Sequence, residues 1–295
     1  MADPTGKSRV IGITLGDAAG IGPEVIRAAL ESGRLDPDFA WRLIGNTAGV
    51  TLGKPTPETA RDALAALEEA ARLARAGEIA AVVTGPIHKA RLQAAGFAFP
   101  GQTEFFADRW ETQNFAMLLT GGMLTVALVT AHVPLKRVPE LLSQAEIVRV
   151  GRLLADFLRM RTGAMPRIAA AGLNPHAGEE GMLGIEEGLI IAPAIRQLAG
   201  EAGAEWAGPL SPDTVFHRAA SGEFDGVLCM YHDQGLIPLK LHAFDQGVNV
   251  TLGLPHVRTS PDHGTAFDIA GSGRARPDSM IAAINLAAEL VKKLR

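Results

Sequence analysis

The sequence predicts an α/β protein that has a mostly parallel, mixed β-sheet with helices on both faces. Short apolar runs of strand length alternate with longer amphipathic segments along the 295 residues, which is the order expected of parallel strands joined by crossover helices. Gly121-Gly122 lies between two adjacent strand-like runs and predicts an antiparallel hairpin. No linker or internal repeat is evident, so any second domain is expected to share elements with the first.

The first part of the chain contains clear helix signals. Pro23 stands in the first turn of a predicted helix at residues 23–30, where its missing N–H costs no hydrogen bond. The segment 57–76 is rich in Ala, Leu, Glu and Arg and is predicted to be a long amphipathic helix, with Thr56 as its N-cap. Strands are predicted at residues 10–15, 41–44 and 79–84.

The remainder of the chain continues the alternation. Two apolar runs at residues 115–120 and 124–130 flank the glycine pair and form the predicted hairpin. A helix is predicted at residues 143–161, with Gln144-Ala145-Glu146 in its first turn. Further strands are predicted at residues 167–173, 225–230 and 248–252, and further helices at residues 186–198 and 277–294.

Composition and charge exclude several functional classes. Hydrophobic residues make up 47% of the chain and charged residues 20%, which is typical of a globular protein. The net charge of -4 and the pI near 6.1 give no reason to expect nucleic acid as a partner. No apolar run approaches the ~20 residues that cross a bilayer, and residues 1–9 lack a signal-peptide core, so we expect a soluble, cytoplasmic protein without a membrane partner.

The single Cys229 lies in an apolar run and is predicted to be a buried thiol.

Three histidines follow predicted strands, which is where ligands bind in α/β proteins. They are His132, His176 and His232. His232 belongs to a polar cluster that also contains Asp233 and Lys240. From position alone, each histidine is either a hydrogen-bonded core residue or one of three ligands of a catalytic divalent ion. Imidazole ligands favour zinc or another transition metal.

The first glycine-rich turn, at residues 16–24, matches no standard nucleotide-binding fingerprint. It lacks the Gly-x-Gly-x-x-Gly spacing of Rossmann folds, and the Gly53-Lys54 pair lacks the earlier glycine of a Walker A loop. Three glycines before a helix either bring backbone N–H groups close to an anion or form a tight strand-to-helix turn. Both interpretations are open on spacing alone.

Seven segments, in the same order along the chain, resemble the 4-hydroxythreonine-4-phosphate dehydrogenase family of vitamin B6 synthesis. The resemblance runs from about residue 10 to the C-terminus, and ordered motifs are together far more specific than any one of them. The segments are residues 16–24, 84–89, 103–106, 131–135, 172–179, 231–240 and 247–255, the last continuing at residues 258–266.

The resemblance implies a fold similar to that of isocitrate and isopropylmalate dehydrogenases, with two interlocked α/β/α domains and a mixed sheet. Such a fold binds a nicotinamide cofactor without a Rossmann fingerprint. The implied first domain comprises residues 1–118 and 250–295 and carries the cofactor loop. The implied second domain, residues 119–249, carries metal, substrate and dimerisation residues.

The same resemblance implies roles for individual residues. One divalent ion per subunit (Zn, Mg or Co) is implied at His132, His176 and His232, one of which is supplied across the interface of a homodimer whose active site lies there. NAD or NADP is implied at a loop similar to the adenosine-binding loop of isopropylmalate dehydrogenases, with matching residues His263, Gly264, Thr265 and Asp268. The implied substrate-binding residues are Gln102, Thr103, Lys240, Asn249 and Arg258. The catalytic candidates are Lys240, Asp233 and Asp213.

The implied reaction is the metal-dependent oxidation by NAD(P) of a small phosphorylated hydroxy acid, 4-phosphohydroxythreonine. The β-keto acid product loses CO2 and gives 3-amino-2-oxopropyl phosphate, within pyridoxal phosphate biosynthesis. Asp233 and Lys240 are both candidates for the base. Lys240 and Arg258 suit a phosphate or carboxylate of the substrate, and Arg in particular binds such groups bidentately.

Three departures from the family pattern leave alternatives open. Gln102 stands where the family usually has His, Ala18 stands where it has Pro, and residues 46–54 form a shorter segment than in typical members. Because glutamine carries no charge, the contact with the substrate at this position is weakened or altered. The first alternative is therefore a dehydrogenase of the same fold for a phosphothreonate-type sugar acid or an aromatic cis-dihydrodiol. A metal-dependent hydrolase or lyase that uses the same histidines is the second alternative. A non-catalytic binding protein that keeps the fold is the third.

Overall fold

The alternation of strands and helices predicted from the sequence is present in the structure, a computed structural model that describes residues 8–294. Contacts between residues divide the chain into two compact units. Unit 1 comprises Met1–Gln113 and Val248–Arg295, and unit 2 comprises Asn114–Gly247.

The strands and helices are numbered in chain order. The strands are β1 Val10–Thr14, β2 Ala40–Ile44, β3 Ala81–Thr84, β4 Ala116–Gly121, β5 Leu124–Leu128, β6 Arg167–Ala171, β7 Glu205–Leu210, β8 Gly226–Cys229, β9 Val248–Leu252 and β10 Val257–Pro261. The helices are α1 Gly22–Glu31, α2 Pro57–Arg75, α3 Lys89–Ala94, α4 Gln102–Arg109, α5 Val138–Leu141, α6 Gln144–Thr162, α7 Ala192–Ala199, α8 Val215–Ala220, α9 His232–Ala243 and α10 Asp278–Lys293. Within residues 8–294, none of the helices combines the length and the apolar character that a bilayer crossing requires.

Unit 1 has the strand order β2-β1-β3-β10-β9. β1 is parallel to β2 and to β3, and β10 is parallel to β3, so the carboxyl ends of these strands meet at one edge. β9 is antiparallel to β10. The core between this sheet and α2 contains fully buried Leu67, Leu73, Phe105 and Phe106. Each such side chain stabilises the fold by ~1.5–3 kcal/mol relative to an exposed position.

The long helix α2 begins where the sequence predicts it. The side-chain oxygen of Thr56 accepts from the backbone N–H of Thr59, and the hydroxyl oxygen of Thr59 accepts in return from the backbone N–H of Thr56. This reciprocal pair satisfies N–H groups that the first helical turn leaves without partners. The predicted cap is therefore confirmed.

Unit 2 has the strand order β4-β5-β8-β6-β7. β4 and β5 form the predicted antiparallel hairpin, with Gly122 at φ 55° in the turn between them. β5, β8, β6 and β7 are all parallel, so their carboxyl ends also meet at one edge. The prediction of a mixed sheet is confirmed. Cys229 is completely buried, which confirms the prediction of a buried thiol, and burial strongly raises the pKa of that thiol.

One predicted helix differs from the structure. The segment predicted as a helix at residues 186–198 begins with a π-helical turn, Glu187–Ile191, before α7 starts at Ala192. The sequence also did not predict β7, β10, α3, α4, α5, α8 or α9. β7 contains Gly208-Pro209 and β10 ends in a proline, and both residue types are depleted in strands, so neither segment has the apolar pattern of a strand.

Candidate active site

Two of the three predicted histidines lie side by side at the strand ends of unit 2. β5 and β8 are parallel neighbours, with Leu128 opposite Cys229, so the chain segments that follow them leave the sheet together. Thr130 fixes these segments to each other, since both its backbone N–H and its hydroxyl donate to the carbonyl oxygen of Met230, at 3.2 and 2.8 Å. As a result the imidazole rings of His132 and His232 have centroids 5.4 Å apart.

The orientation of His232 is set by its neighbour. Nδ1 of His232 lies 2.7 Å from Oδ1 of Asp233. Because a carboxylate only accepts hydrogen bonds, this contact favours a proton on Nδ1 and leaves Nε2 as the free electron-pair donor. Asp233 is 69% exposed in its side chain and His232 is 31% exposed, so the pair can be reached from solvent.

Gln234 anchors the same helix end to two strands. It is 6% exposed, its Oε1 accepts from the backbone N–H of Met230 at 2.7 Å, and its Nε2 donates to the carbonyl oxygen of Gly172 at 2.6 Å. Gln234 therefore joins the end of β8 to the segment that follows β6. α9 also approaches the sheet closely at Gly235, because a Cβ atom there would lie 3.0 Å from Sγ of Cys229.

The histidine pair fits a transition-metal ion as two of its ligands. Two imidazoles bound to one tetrahedral ion, with metal–nitrogen bonds of ~2.0–2.1 Å, have ring centroids about 5 Å apart, close to the separation of His132 and His232. Within residues 8–294 of one chain, no group of three or more His, Cys, Asp or Glu side chains is placed to hold a metal ion. The structure thus brings two of the predicted ligands together, and the three-histidine site stays a prediction.

His176 lies on a separate segment with an unusual backbone. Residues 176–180 all have positive φ, namely 52°, 52°, 81°, 42° and 56°. For residues other than glycine the left-handed conformation costs roughly 1–2 kcal/mol each, so this segment requires strong contacts to persist. Asp213 lies near His176. The hydroxyl of Ser211 donates to Asp213 at 2.6 Å and lowers the pKa of that carboxyl, and the positive charge of a protonated His176 lowers it further.

Lys240 lies on α9, the helix that begins at His232, and its side chain is partly buried. The helix therefore carries the two candidate bases, Asp233 in its first turn and Lys240 in its last.

Side chains of β3, β9 and α4 surround a buried cation in unit 1. Arg258 on β10 is 4% exposed. Its Nη2 donates to Thr84 Oγ1 at 2.6 Å and to Gln102 Oε1 at 3.2 Å. Its Nη1 has only long contacts of 3.4 Å, to Asn249 Oδ1 and Thr251 Oγ1, and its Nε is buried without a hydrogen-bond partner among the described residues. All of these partners are neutral.

The charge of Arg258 is consequently poorly compensated. Burial lowers the pKa of its guanidinium to about 10, against a smaller opposing effect of the Glu104 carboxylate. The group still carries its charge at neutral pH. A desolvated cation with neutral neighbours costs stability, and it binds an entering phosphate or carboxylate strongly because little water competes.

Gln102, the predicted substrate-binding residue at the start of α4, contacts Arg258. Its Nε2 donates to the carbonyl oxygen of Gly85 at 3.3 Å. This contact turns Oε1 toward Arg258 and fixes which end of the amide faces the guanidinium. Thr103 is joined to the same group through Thr251, since their hydroxyl oxygens are 3.4 Å apart. The predicted residues Gln102, Asn249 and Arg258 are therefore in contact, with Thr103 one hydroxyl away.

The glycine-rich turn at residues 16–24 uses its N–H groups internally. The backbone N–H groups of Asp17, Gly20 and Ile21 donate to Pro86, Asp17 and Thr265 carbonyl oxygens, and that of Ala19 donates to Asp17 Oδ1. A Cβ atom at Gly20 would lie 2.5 Å from the carbonyl oxygen of Thr265. Of the two interpretations left open by spacing, these contacts favour a tight turn over an anion cradle.

The predicted cofactor loop packs directly on that turn. Besides the contact of Thr265 with Ile21, the backbone N–H of Gly271 donates to Glu24 at 3.0 Å. Burial lowers the pKa of His263, and its Nε2 is buried without a hydrogen-bond partner among the described residues. Thr265 is buried, whereas Gly264 and Asp268 are exposed. The loop thus holds a neutral imidazole, whose Nε2 is buried, next to the exposed Gly264.

Sequence reasoning missed several residues of these groups. Thr84 and Thr251 were hidden inside strands, where threonine is common, and only their contacts with Arg258 distinguish them. Gln234 and Glu187 are buried polar residues, 6% and 5% exposed. A polar residue between apolar ones in the 231–240 segment was the signal available for Gln234.

Known proteins are similar to this chain in sequence and in fold. A family model described as "Pyridoxal phosphate biosynthetic protein PdxA" matches residues 27–287. A 4-hydroxythreonine-4-phosphate dehydrogenase from Desulfosudis oleivorans is 45% identical over 94% of this chain and 95% of its own length. The crystal structure of a 4-hydroxythreonine-4-phosphate dehydrogenase from Klebsiella pneumoniae is 37% identical, with a TM-score of 0.81, and covers 96% of this chain and 100% of that chain.

Two other solved structures are similar in fold at lower sequence identity. A terephthalate 1,2-cis-dihydrodiol dehydrogenase from Burkholderia xenovorans is 28% identical, with a TM-score of 0.68 over 96% of this chain and 98% of that chain. Isocitrate dehydrogenase from Methylococcus capsulatus is 18% identical, with a TM-score of 0.54 over 95% of this chain and 87% of its own, which is a likeness in fold alone. The predicted fold class is thereby confirmed.

Proposed function

The chain belongs to the pyridoxal phosphate biosynthetic protein PdxA family, and from this premise we propose that it is a 4-hydroxythreonine-4-phosphate dehydrogenase. Eight relatives at 41–46% identity carry that name, whereas the dihydrodiol dehydrogenase is only 28% identical. The dihydrodiol, sugar-acid, hydrolase and lyase alternatives are therefore not favoured. The enzyme is an oxidoreductase, and the proposal extends to a nicotinamide cofactor and a divalent metal ion.

The buried cation of Arg258 is the observation that supports an anionic substrate. Its hydrogen bonds go to neutral groups and its Nε has no partner among the described residues, so a phosphate or carboxylate would gain charge-assisted hydrogen bonds that are about twice as strong as neutral ones. Gln102 holds the guanidinium without adding charge.

The proposed reaction oxidises the substrate's secondary alcohol to a ketone. The hydroxyl proton goes to a base of this chain, and the hydrogen on the same carbon leaves with its electron pair to the nicotinamide ring of NAD or NADP. The resulting β-keto acid loses CO2 and gives 3-amino-2-oxopropyl phosphate. Since Asp233 already accepts from His232, we assign it an orienting role, and Lys240 on the same helix is the better candidate for the base.

His132 and His232 would hold the metal ion together with His176, which we propose is supplied by a second copy of the chain. A divalent ion bound there supplies a Lewis acid that lowers the pKa of a coordinated hydroxyl. Asp233 keeps the His232 ring in the tautomer that exposes Nε2. His263, with its free Nε2, and the exposed backbone at Gly264 would contact the cofactor.

An exposed apolar stripe supports a homodimer. Ile237, Leu241 and Phe244 are spaced four and three residues apart on α9 and the residue that caps it, and they are 66%, 89% and 74% exposed. Side chains at this spacing share one helix face, and large exposed apolar patches mark protein interfaces. Leu241→Glu should give monomers in light scattering, and Leu43→Glu, at a 51% exposed site in unit 1, should not. A Leu241→Glu protein that remains dimeric would contradict this interface.

The reaction itself is tested by following nicotinamide reduction with 4-phosphohydroxythreonine. We expect reduction with added Zn2+ or Mg2+ and none after treatment with a chelator. Oxidation of an aromatic cis-dihydrodiol in preference to the phosphorylated substrate would overturn the proposed substrate, and turnover without NAD(P) would overturn the dehydrogenase.

A further inference from the structure

The backbone before His176 is held by the buried carboxylate of Glu187, and the side chain of Asn174 also donates to Glu186 at 2.8 Å. Glu187 is 5% exposed. Its Oε1 accepts from the backbone N–H groups of Leu173 and Asn174, both at 2.7 Å, and its Oε2 accepts from Nδ2 of Asn174 at 3.0 Å. Three donors from two consecutive residues thus converge on one side chain, immediately before the left-handed run that starts at His176.

The rest of the left-handed run folds back over the same carboxylate. A Cβ atom at Gly178 would lie 2.7 Å from Oε2 of Glu187. A Cβ atom at Gly172 would lie 3.2 Å from Oε1 and 2.9 Å from the Cα atom of Ala177. The backbone on both sides of His176 therefore touches Glu187, and glycine is required at both points of closest approach.

Glu187 is itself fixed and charged. Burial alone would raise its pKa, but the hydrogen bonds from Asn174 and Leu173 together outweigh burial and leave the pKa below its usual value. The residue begins the π-helical turn Glu187–Ile191 that interrupts the predicted helix, and such turns are frequent at functional sites. The turn brings the carboxylate to the segment after β6.

We propose that Glu187 is the positioning residue for His176. This inference rests on the proposed function, in which His176 is a metal ligand. The charged carboxylate compensates the unfavourable backbone of residues 176–180 and so sets where the imidazole lies. Without this carboxylate, residues 176–180 relax toward ordinary backbone conformations and His176 leaves its position. The fold of unit 2 persists, because its buried apolar core does not depend on Glu187.

The test uses Zn2+ titrated into the metal-free, full-length protein against a chromophoric chelator, with hydrogen exchange measured on the same metal-free protein. We expect Glu187→Gln to weaken Zn2+ binding about 10–100-fold, as substitutions behind metal ligands do, and to accelerate exchange at the amides of Leu173 and Asn174. Excess Zn2+ should restore its turnover number. Glu180→Gln is the matched control, because it removes the same charge from an exposed residue of the same segment.

His176→Ala separates the two proposals. We expect it to lose Zn2+ affinity while exchange at residues 173 and 174 stays slow. If His176→Ala binds Zn2+ as tightly as the wild type, the metal assignment is wrong and Glu187 has no ligand to position. If His176→Ala is impaired but Glu187→Gln behaves like Glu180→Gln, only the positioning role is overturned. Should Glu187→Gln not fold, Asn174→Ala removes one of the three donors and must weaken Zn2+ binding in the same direction.

Discussion

The two units treat their buried polar groups in opposite ways. Six buried side-chain atoms among the described residues have no hydrogen-bond partner, and all of them belong to unit 1. They are on Arg9, Asp17, Glu24, Arg91, Arg258 and His263. In unit 2 the buried polar side chains Gln234 and Glu187 make two or three hydrogen bonds each, almost all to the backbone around the strand ends.

The two units therefore arrange their candidate binding groups differently. In unit 1, Arg91 Nε and Asp17 Oδ2 face each other in an ion pair at 3.7 Å. Arg258 and His263 keep buried nitrogens whose hydrogen bonds a ligand's own groups would complete, at a cost to stability. Unit 2 uses its polar groups to fix the backbone and leaves the histidines themselves partly exposed. We therefore expect substitutions in unit 1 to change ligand affinity and stability in opposite directions, and those in unit 2 to act through geometry.

The largest effect is expected from Arg258→Met, which keeps the volume of the side chain and removes its charge. The KM for 4-phosphohydroxythreonine should rise at least about 100-fold, because two charge-assisted hydrogen bonds at ~1.5–3 kcal/mol each are lost. The melting temperature should stay or rise, since an uncompensated buried cation is removed. Arg75→Met, at an exposed ion pair with Glu111, should change neither. An unchanged KM would remove Arg258 from the anion site.

Asp233→Asn should reduce Zn2+ affinity about 10–100-fold, which is the usual effect of removing a ligand's hydrogen-bond partner. The amide no longer favours the Nδ1-protonated ring of His232, so saturating metal should restore the turnover number. If Asp233 is instead the base, Zn2+ affinity will stay and the turnover number will fall at every metal concentration. Asp156→Asn, on the surface of α6, is the control for loss of charge.

Asn249→Asp adds a negative charge beside Arg258, whereas Arg258→Met removes the positive charge. The new carboxylate lies 3.4 Å from Nη1 of Arg258. The new carboxylate should compensate the guanidinium and raise the free energy of unfolding by about 1–3 kcal/mol. It should also compete with the substrate anion and raise KM about 10-fold or more. Asn114→Asp places the same charge beside Arg149, which already faces Glu146, and should have neither effect. A less stable Asn249→Asp protein would show that Arg258 is already compensated.

The sequence predicts those features that depend on local chemistry or on strand polarity. α2 was predictable because Thr56, Pro57 and Thr59 build its start within a few residues. The closeness of His132 and His232 was predictable because parallel neighbouring strands end at the same edge. The resemblance supplied Gln102 and Asn249 beside Arg258, but the contacts of Arg258 with Thr84 and Thr251 were not predictable, because threonine is common in strands such as β3 and β9. The left-handed run after His176 was equally hidden, because it depends on a carboxylate that follows it by eleven residues and contacts it only in the folded chain.

The smallest effect concerns His263, a unit 1 residue whose Nε2 is buried without a hydrogen-bond partner among the described residues. Because burial lowers its pKa in the folded state, the unfolded chain binds a proton first as the pH falls through ~6.5. Stability contributed by the neutral ring is therefore present above about pH 6.5 and declines below it, by at most about 1.4 kcal/mol per pH unit. His263→Asn should flatten the difference in unfolding free energy between pH 7 and pH 5 relative to the wild type. His217→Asn, on the short helix α8 of unit 2, is the control and should leave that difference unchanged. If the unfolding free energy depends on pH equally in the wild type and in His263→Asn, burial does not hold the His263 ring neutral.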